Sequence, residues 1–91
     1  MDVKQAVKIA KDYVLELFSD EELVNVGLEE VELVQPDDEW VVTIGFSRPW
    51  DAPSNTLAAI ASGGPRRAFK VVTISNSSHN VLSVKDRILK N

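Results

Sequence analysis

Several residue types that build catalytic and metal sites are absent or rare in this chain of 91 residues. It contains no cysteine, which excludes disulfides, thiolate nucleophiles and sulfur-ligated metal sites. Its single histidine, His79, excludes a histidine-rich metal centre. No run of about 20 apolar residues is present, and the first residues lack the apolar stretch of a signal peptide. We therefore expect a cytoplasmic protein that does not contact a membrane and has no cofactor.

The composition is that of a small globular domain with an uneven distribution of charge. Hydrophobic residues make up 44% and charged residues 26%, and the length predicts a single domain over residues 1–91. Residues 1–47 carry three lysines against twelve acids, a balance of −9, whereas residues 48–91 carry seven basic residues against two acids, a balance of +5. Because the whole chain is acidic, we expect no nucleic-acid partner.

The first segment shows the apolar period of an α-helix. Asp2, followed three residues later by Gln5, has the form of a capping box, which predicts that the helix begins directly after Asp2. Ser19 and Glu22 repeat this spacing, so we expect a short second turn over residues 20–24 that ends at Gly27. The apolar stripe of the first helix consists of Val3, Ala6, Val7, Ala10, Val14, Leu17 and Phe18.

The rest of the chain predicts four β-strands, at residues 28–35, 40–46, 66–75 and 81–88. The second strand alternates most clearly, and polar residues at 35–39 and 76–80 predict turns. In the third strand Lys70 shares a face with Val72 and Ile74, which favours the opposite face as the buried one. The side chains expected to face the core are Val31, Leu33, Trp40, Val42, Ile44, Phe46, Phe69, Val71, Leu82 and Val84.

One amphipathic helix and one two-faced sheet bury their apolar surfaces most simply against each other. We therefore predict an α+β two-layer sandwich, with the N-terminal helix packed on a four-stranded antiparallel meander. A long loop over residues 47–65 interrupts the strands. The opposite sheet face is expected to stay partly exposed to solvent unless a partner covers it. Its side chains would be Glu30, Glu32, Val41, Thr43, Lys70 and Ser83.

This order of elements resembles the PepSY-like domains of bacteria and, more distantly, cystatin-like folds. The resemblance rests on the segments AVKIAKDYVLELF, LEEVEL, WVVTIGF, AFKVVTIS and VLSVKDRI. It implies a non-catalytic accessory or regulatory role. The chain departs from PepSY domains at the turn of residues 76–80, which lacks their aspartate or glycine pattern. It also has no glutamine–valine–glycine hairpin of the cystatins, so the resemblance does not imply protease inhibition.

No constellation of residues predicts catalysis, and we expect the protein not to be an enzyme. His79 lies in a polar turn without an acid nearby in sequence. The carboxylates around residues 29–39 lack the ligand spacing of a calcium loop, and the glycines at 63–64 precede a strand rather than the helix of a phosphate-binding loop.

The sequence instead predicts an interaction module for an unknown protein partner, with an accessory, regulatory or inhibitory role such as that of an immunity protein or antitoxin. The first strand is acidic and the last is basic, so strand edges of opposite sign could pair and form a homodimer; the exposed sheet face is the alternative contact. A small-molecule site or weak enzyme, with its pocket at the 47–65 loop, is the competing hypothesis. The candidate interaction residues are Arg48, Trp50 and Asp51 in the loop, Glu30 and Glu32 on the first strand, and Lys85 and Arg87 on the last.

Overall fold

One helix and four strands form the part of the chain that the computed structural model describes, residues 1–48 and 68–87. The strands pair antiparallel in the order β1-β2-β3-β4, and α1 packs on one face of the sheet. This arrangement confirms the predicted α+β fold with an N-terminal helix on a four-stranded meander. The elements are α1 (Val3–Leu17), β1 (Val24–Val34), β2 (Glu39–Ser47), β3 (Ala68–Ser75) and β4 (Val81–Asp86).

The N-terminus of α1 has the predicted capping box. The Gln5 backbone N–H donates to Asp2 Oδ1 at 2.8 Å, and the Asp2 backbone N–H donates to Gln5 Oε1 at 2.9 Å. Two of the N–H groups that have no partner inside a helix are thereby satisfied. The helix buries Ala6, Ala10 and Val14 in the core that it shares with the sheet.

β1 begins four residues earlier than the sequence predicts. The expected short turn over residues 20–24 is wrong in its second half, because the strand already starts at Val24. Gly27 lies inside β1 opposite Gly45 and does not end a helix. The strand is irregular at Asn25, whose φ of 55° lies in the left-handed region that asparagine tolerates, and at a second register shift between Leu28 and Glu30.

β2 lies between β1 and β3 and supplies the centre of the core. Trp40, Val42, Ile44 and Phe46 share the face that packs against α1, here called the inner face, as predicted. The last three of these side chains are fully buried. On the opposite, outer face Thr43 is also buried, with 2% of its surface exposed.

The predicted orientation of β3 is wrong. Val72 and Ile74 are fully buried on the inner face, so Phe69 and Val71 lie on the outer face. Lys70 belongs to the inner face and not, as expected, to the outer one. It occupies the inner face because it lies near the end of the strand, where its ammonium reaches the periphery beside Phe18 and Asp86.

β4 is predicted correctly for Val84 and wrongly for Leu82. Val84 packs against the core opposite Val72. Leu82 lies at a register shift, where β4 contains one residue more than β3, and 52% of its surface is exposed. The strand ends at Asp86, whereas the prediction extended it to residue 88, which lies outside the described residues.

The two hairpin turns meet at one end of the sheet. Trp40 Nε1 donates to Asn76 Oδ1 at 2.8 Å, and Asn76 Nδ2 donates to Asp38 Oδ1 at 3.0 Å. The Asn76 backbone N–H also donates to the Asp38 carbonyl at 3.0 Å. Asn76 therefore links the β1–β2 turn to the β3–β4 turn, while His79 is exposed, as expected for a turn residue.

Candidate interaction surface

The free side of β1 combines an open strand edge with two different side-chain surfaces. Among the four described strands β1 has one neighbour, β2, so half of its backbone N–H and C=O groups point away from the sheet. Glu30 and Glu32 are exposed on the outer face, and neither forms an ion pair with another described residue. Val31 and Leu33 lie on the inner face. We call residues 30–34 the β1 edge.

An apolar groove borders this edge on the side of α1. Its volume is about 300 Å³, and the described residues that line it are Val3, Lys4, Val7 and Leu28. Val3 and Leu28 are 43% and 42% exposed, and Leu33, further along the inner face of β1, is 39% exposed. The groove lies between the N-terminal half of the helix and the edge strand, where no further described strand covers the helix. It offers apolar side chains of a bound segment a place to pack.

The β4 edge, on the opposite side of the sheet, carries the opposite charge on its outer face. Lys85 lies there, and Arg87 follows the strand on the same side with its backbone N–H bonded to the Phe69 carbonyl at 3.1 Å. Both side chains are exposed. The two pairs of charged candidates thus occupy the two edges of one face, where they are too far apart to pair within a single molecule.

A cluster of cations and aromatic rings closes the core at the C-terminal end of α1. The Phe18 and Phe46 ring centroids lie 5.8 Å apart, Arg48 Cζ lies 5.1 Å from the Phe46 centroid, and Lys70 Nζ lies 5.4 Å from the Phe18 centroid. Arg48 Nε donates to Glu21 Oε1 at 2.6 Å. Because these cations lie over aromatic faces and next to carboxylates, they stabilise this end of the fold.

Asp86 completes this cluster from the edge strand. It accepts a hydrogen bond from Lys70 Nζ. This hydrogen bond and the charge of Lys70 lower the pKa of the Asp86 carboxyl, and the charge of Arg48 lowers it further. Lys70 is largely buried whereas Asp86 is largely exposed, so the pair anchors β4 to β3 at the rim of the core.

The structure separates the candidate residues into three groups. Arg48 is mostly buried against Phe46 and paired with Glu21, so its side chain helps to hold the fold together. Glu30 and Glu32 stand on one edge and Lys85 and Arg87 on the other. Trp50 and Asp51, together with the rest of the 47–65 loop beyond Arg48, lie outside the described residues.

The apolar part of this surface cannot be predicted from the sequence pattern. Leu28 lies in a predicted strand and Val3 in the predicted helix stripe, and nothing in their spacing shows that β1 extends beyond the cover of α1. The residues that meet Arg48 and Lys70 were also missed, because Glu21, Phe18 and Asp86 are distant in sequence. The one local signal was Lys70 itself, a cation inside an apolar alternation.

Three further observations on the described residues bear on other functions. A second pocket, of about 270 Å³, is lined by Tyr13, Glu16 and Leu17 of α1. Within residues 1–48 and 68–87, no three histidine, aspartate or glutamate side chains are grouped as metal ligands. No helix in the same ranges is both long and apolar enough to cross a bilayer.

Comparison with known proteins adds no relative from which a function could be transferred. Neither a protein-family model, nor a curated protein, nor a solved structure matches this chain. The resemblance to PepSY-like and cystatin-like domains therefore stays a prediction.

Proposed function

We propose that this chain is a non-catalytic interaction module that binds an extended segment of a partner protein along the β1 edge. The supporting observation is the combination found there: backbone groups that no other described strand pairs, exposed apolar side chains on one face and exposed carboxylates on the other. A segment that adds to a sheet edge gains affinity from main-chain hydrogen bonds and specificity from its alternating side chains.

The two faces of β1 define the chemistry of such a segment. Side chains that point to the inner face would pack on Leu28, Leu33 and the apolar groove. The alternate side chains would lie beside Glu30 and Glu32, which favour lysine or arginine, because opposite charges on neighbouring strands stabilise a pair by about 0.2–1 kcal/mol. The preferred partner segment therefore alternates apolar and basic residues.

An accessory, regulatory or inhibitory role is consistent with this mode of binding. Binding at a strand edge requires no catalysed reaction. The acidic residues near the β1 edge would guide a basic partner to the surface by long-range electrostatic attraction. The same charge pattern would suit an immunity protein or antitoxin that neutralises a basic target.

Binding of synthetic peptides tests the proposal. We expect a labelled heptapeptide that alternates valine and lysine to bind in fluorescence anisotropy, with NMR shift changes concentrated on residues 30–34. A peptide of the same composition with its valines and lysines in separate blocks, and one with glutamate in place of lysine, should bind at least about tenfold more weakly. Equal affinity for all three peptides would contradict the proposal.

Two modifications separate strand addition from general charge attraction. Replacing Glu30 and Glu32 by lysine should weaken binding by about tenfold, whereas the control D20K/E22K, which changes the same charge at exposed positions, should have little effect. Peptide N-methylation at one alternate set of residues should abolish binding, because those N–H groups face β1, and methylation at the other set should not. Tolerance of both methylation patterns would exclude strand addition.

A further inference from the structure

The strand registers place one charged residue of each edge, Glu30 and Lys85, at the same height in the sheet. Glu30 is opposite Thr43, Thr43 is opposite Val71, and Val71 is opposite Lys85. These four residues form one row across the outer face, with a carboxylate at one end and an ammonium at the other.

The neighbouring row on the inner face is apolar throughout. Val31 is opposite Val42, Val42 is opposite Val72, and Val72 is opposite Val84. The two edges therefore match in two ways at once, with opposite charges on the outer face and valines on the inner face.

The hydrogen-bonding pattern of the backbone is compatible with joining these edges. The Arg87 N–H donates to the Phe69 carbonyl, so Arg87 and, two residues earlier, Lys85 direct their backbone groups toward β3. Val84 directly precedes Lys85 and directs its groups outward, because backbone direction alternates along a strand. Val84 pairs with Val72, Val72 with Val42 and Val42 with Val31. Because hydrogen-bonded and non-hydrogen-bonded pairs alternate along this row, the backbone groups of Val31 also point outward, at the β1 edge.

The direction of the strands is compatible as well. A meander of four antiparallel strands has its first and last strands running in opposite directions. A second copy in the same orientation therefore presents β1 antiparallel to β4 of the first copy, with both helices on the same side of the joined sheet.

We propose that copies of this chain associate through β4 of one and β1 of the next, with Lys85 opposite the Glu30 of the second copy and Val84 opposite its Val31. This inference depends on the proposed function, since it identifies a second copy of this chain as a partner of the β1 edge. The outer face of β4 carries the basic side chains, Lys85 and Arg87, that the β1 edge favours.

Charge disfavours the symmetric alternatives. Pairing of two β1 edges would bring the Glu30 and Glu32 side chains of both copies together, and pairing of two β4 edges would do the same for Lys85 and Arg87. Like charges on adjacent strands are destabilising. The favoured contact joins two different surfaces, so a dimer still has one free β1 edge and one free β4 edge. Further copies can therefore add at both ends, unless the twist of the sheet closes the assembly into a ring.

Sedimentation velocity of the full chain tests this inference. We expect the weight-average mass to rise above the 10.1 kDa of the monomer as concentration increases from about 10 μM to 1 mM at low salt, and to fall when salt is added. The variants E30K/E32K and K85E/R87E should each have a dissociation constant at least tenfold weaker, whereas the control D20K/E22K should associate like the unaltered chain.

Mixing the two charge-reversed variants gives the decisive measurement. Their altered edges are again complementary to each other, so an equimolar mixture should associate at concentrations where each variant alone, with its weaker dissociation constant, stays monomeric. Circular dichroism of each variant confirms that it is folded, and recovery on mixing could not come from unfolded protein.

The inference is overturned if the unaltered chain stays monomeric at 1 mM, or if the mixture fails to associate. If peptides bind the β1 edge while the chain stays monomeric, the proposed function stands and only the second copy is excluded as the partner. If neither peptides nor a second copy bind, both proposals fail.

Discussion

Individual side chains decide which face of β3 is buried. Both faces carry apolar residues, and the sequence pattern predicts that Lys70 lies on the solvent-exposed face. Its stem instead lies on the inner face, while its ammonium reaches the Phe18 ring and Asp86 at the margin of the core. A lysine near a strand end can lie on a buried face because its charged group extends past the core.

Truncation of one buried and one exposed side chain checks these orientations. Ile74→Ala removes a fully buried side chain and should lower the free energy of unfolding by about 2–5 kcal/mol. Leu82→Ala removes a side chain that is 52% exposed and should change that free energy by less than about 0.5 kcal/mol. Urea denaturation measures both values, and a larger loss for Leu82 would restore the orientation that the sequence predicts.

At the scale of elements, the structure is regular where local signals agree and irregular where tertiary contacts decide. α1 begins at its capping box and turns its alanines toward the sheet, as the sequence predicts. β1 has two register shifts, the second of which allows both Leu28 and Val31 to face the helix side although they are three residues apart. An unbroken alternation would place them on opposite faces.

The capping box gives a prediction at this scale. Asp2→Ala removes the acceptor for the Gln5 N–H and should lower the free energy of unfolding by about 1 kcal/mol. Asp2→Asn keeps a side-chain oxygen at the same position and should cost less than half as much. Thermal denaturation followed by circular dichroism compares the two variants, and equal losses would show that the charge of Asp2, rather than the hydrogen bond, stabilises the helix.

At the scale of the whole molecule, polar contacts tie elements together at both ends of the sheet. Asn76 joins the two hairpin turns at one end. At the other end Arg48 links β2 to Glu21, and Lys70 links β3 to β4 through Asp86. The helix lies mainly over β1 and β2 and less over β3, so these contacts matter most for β4.

The Asp86 contact makes the stability of the whole fold depend on pH. Because Lys70 lowers the pKa of Asp86 in the folded chain, the unfolded chain binds this proton more readily. The stabilisation is therefore complete above the unfolded pKa, about 3.9, and is lost as pH falls through the lower folded value.

Asp86→Asn should remove this part of the pH dependence. Urea denaturation between about pH 2 and 6 should show a smaller loss of stability on acidification in the variant than in the unaltered chain. Asp20→Asn, which alters an exposed aspartate without an ion pair to a described residue, is the control and should keep the original slope. Parallel pH profiles for Asp86→Asn and the unaltered chain would contradict the prediction.

The sequence by itself determined the helix, its start directly after Asp2, the existence of four strands and the alternation of Trp40, Val42, Ile44 and Phe46 on the inner face. These features depend on the periodic spacing of apolar residues and on helix capping, which involve residues close together in the chain. It also indicated the opposite charges of the first and last strands. The charge pattern alone could not show that Glu30 and Lys85 stand in one row.

Only the tertiary structure decided the face of β3, the exposure of Leu82, the pairing of Arg48 with Glu21 and the apolar groove beside Leu28. Each of these depends on register or on how far α1 covers the sheet. A one-residue shift in register moves every later side chain of a strand to the other face, and such shifts occur in both β1 and β4. They arise from packing between distant segments, which local sequence patterns do not record.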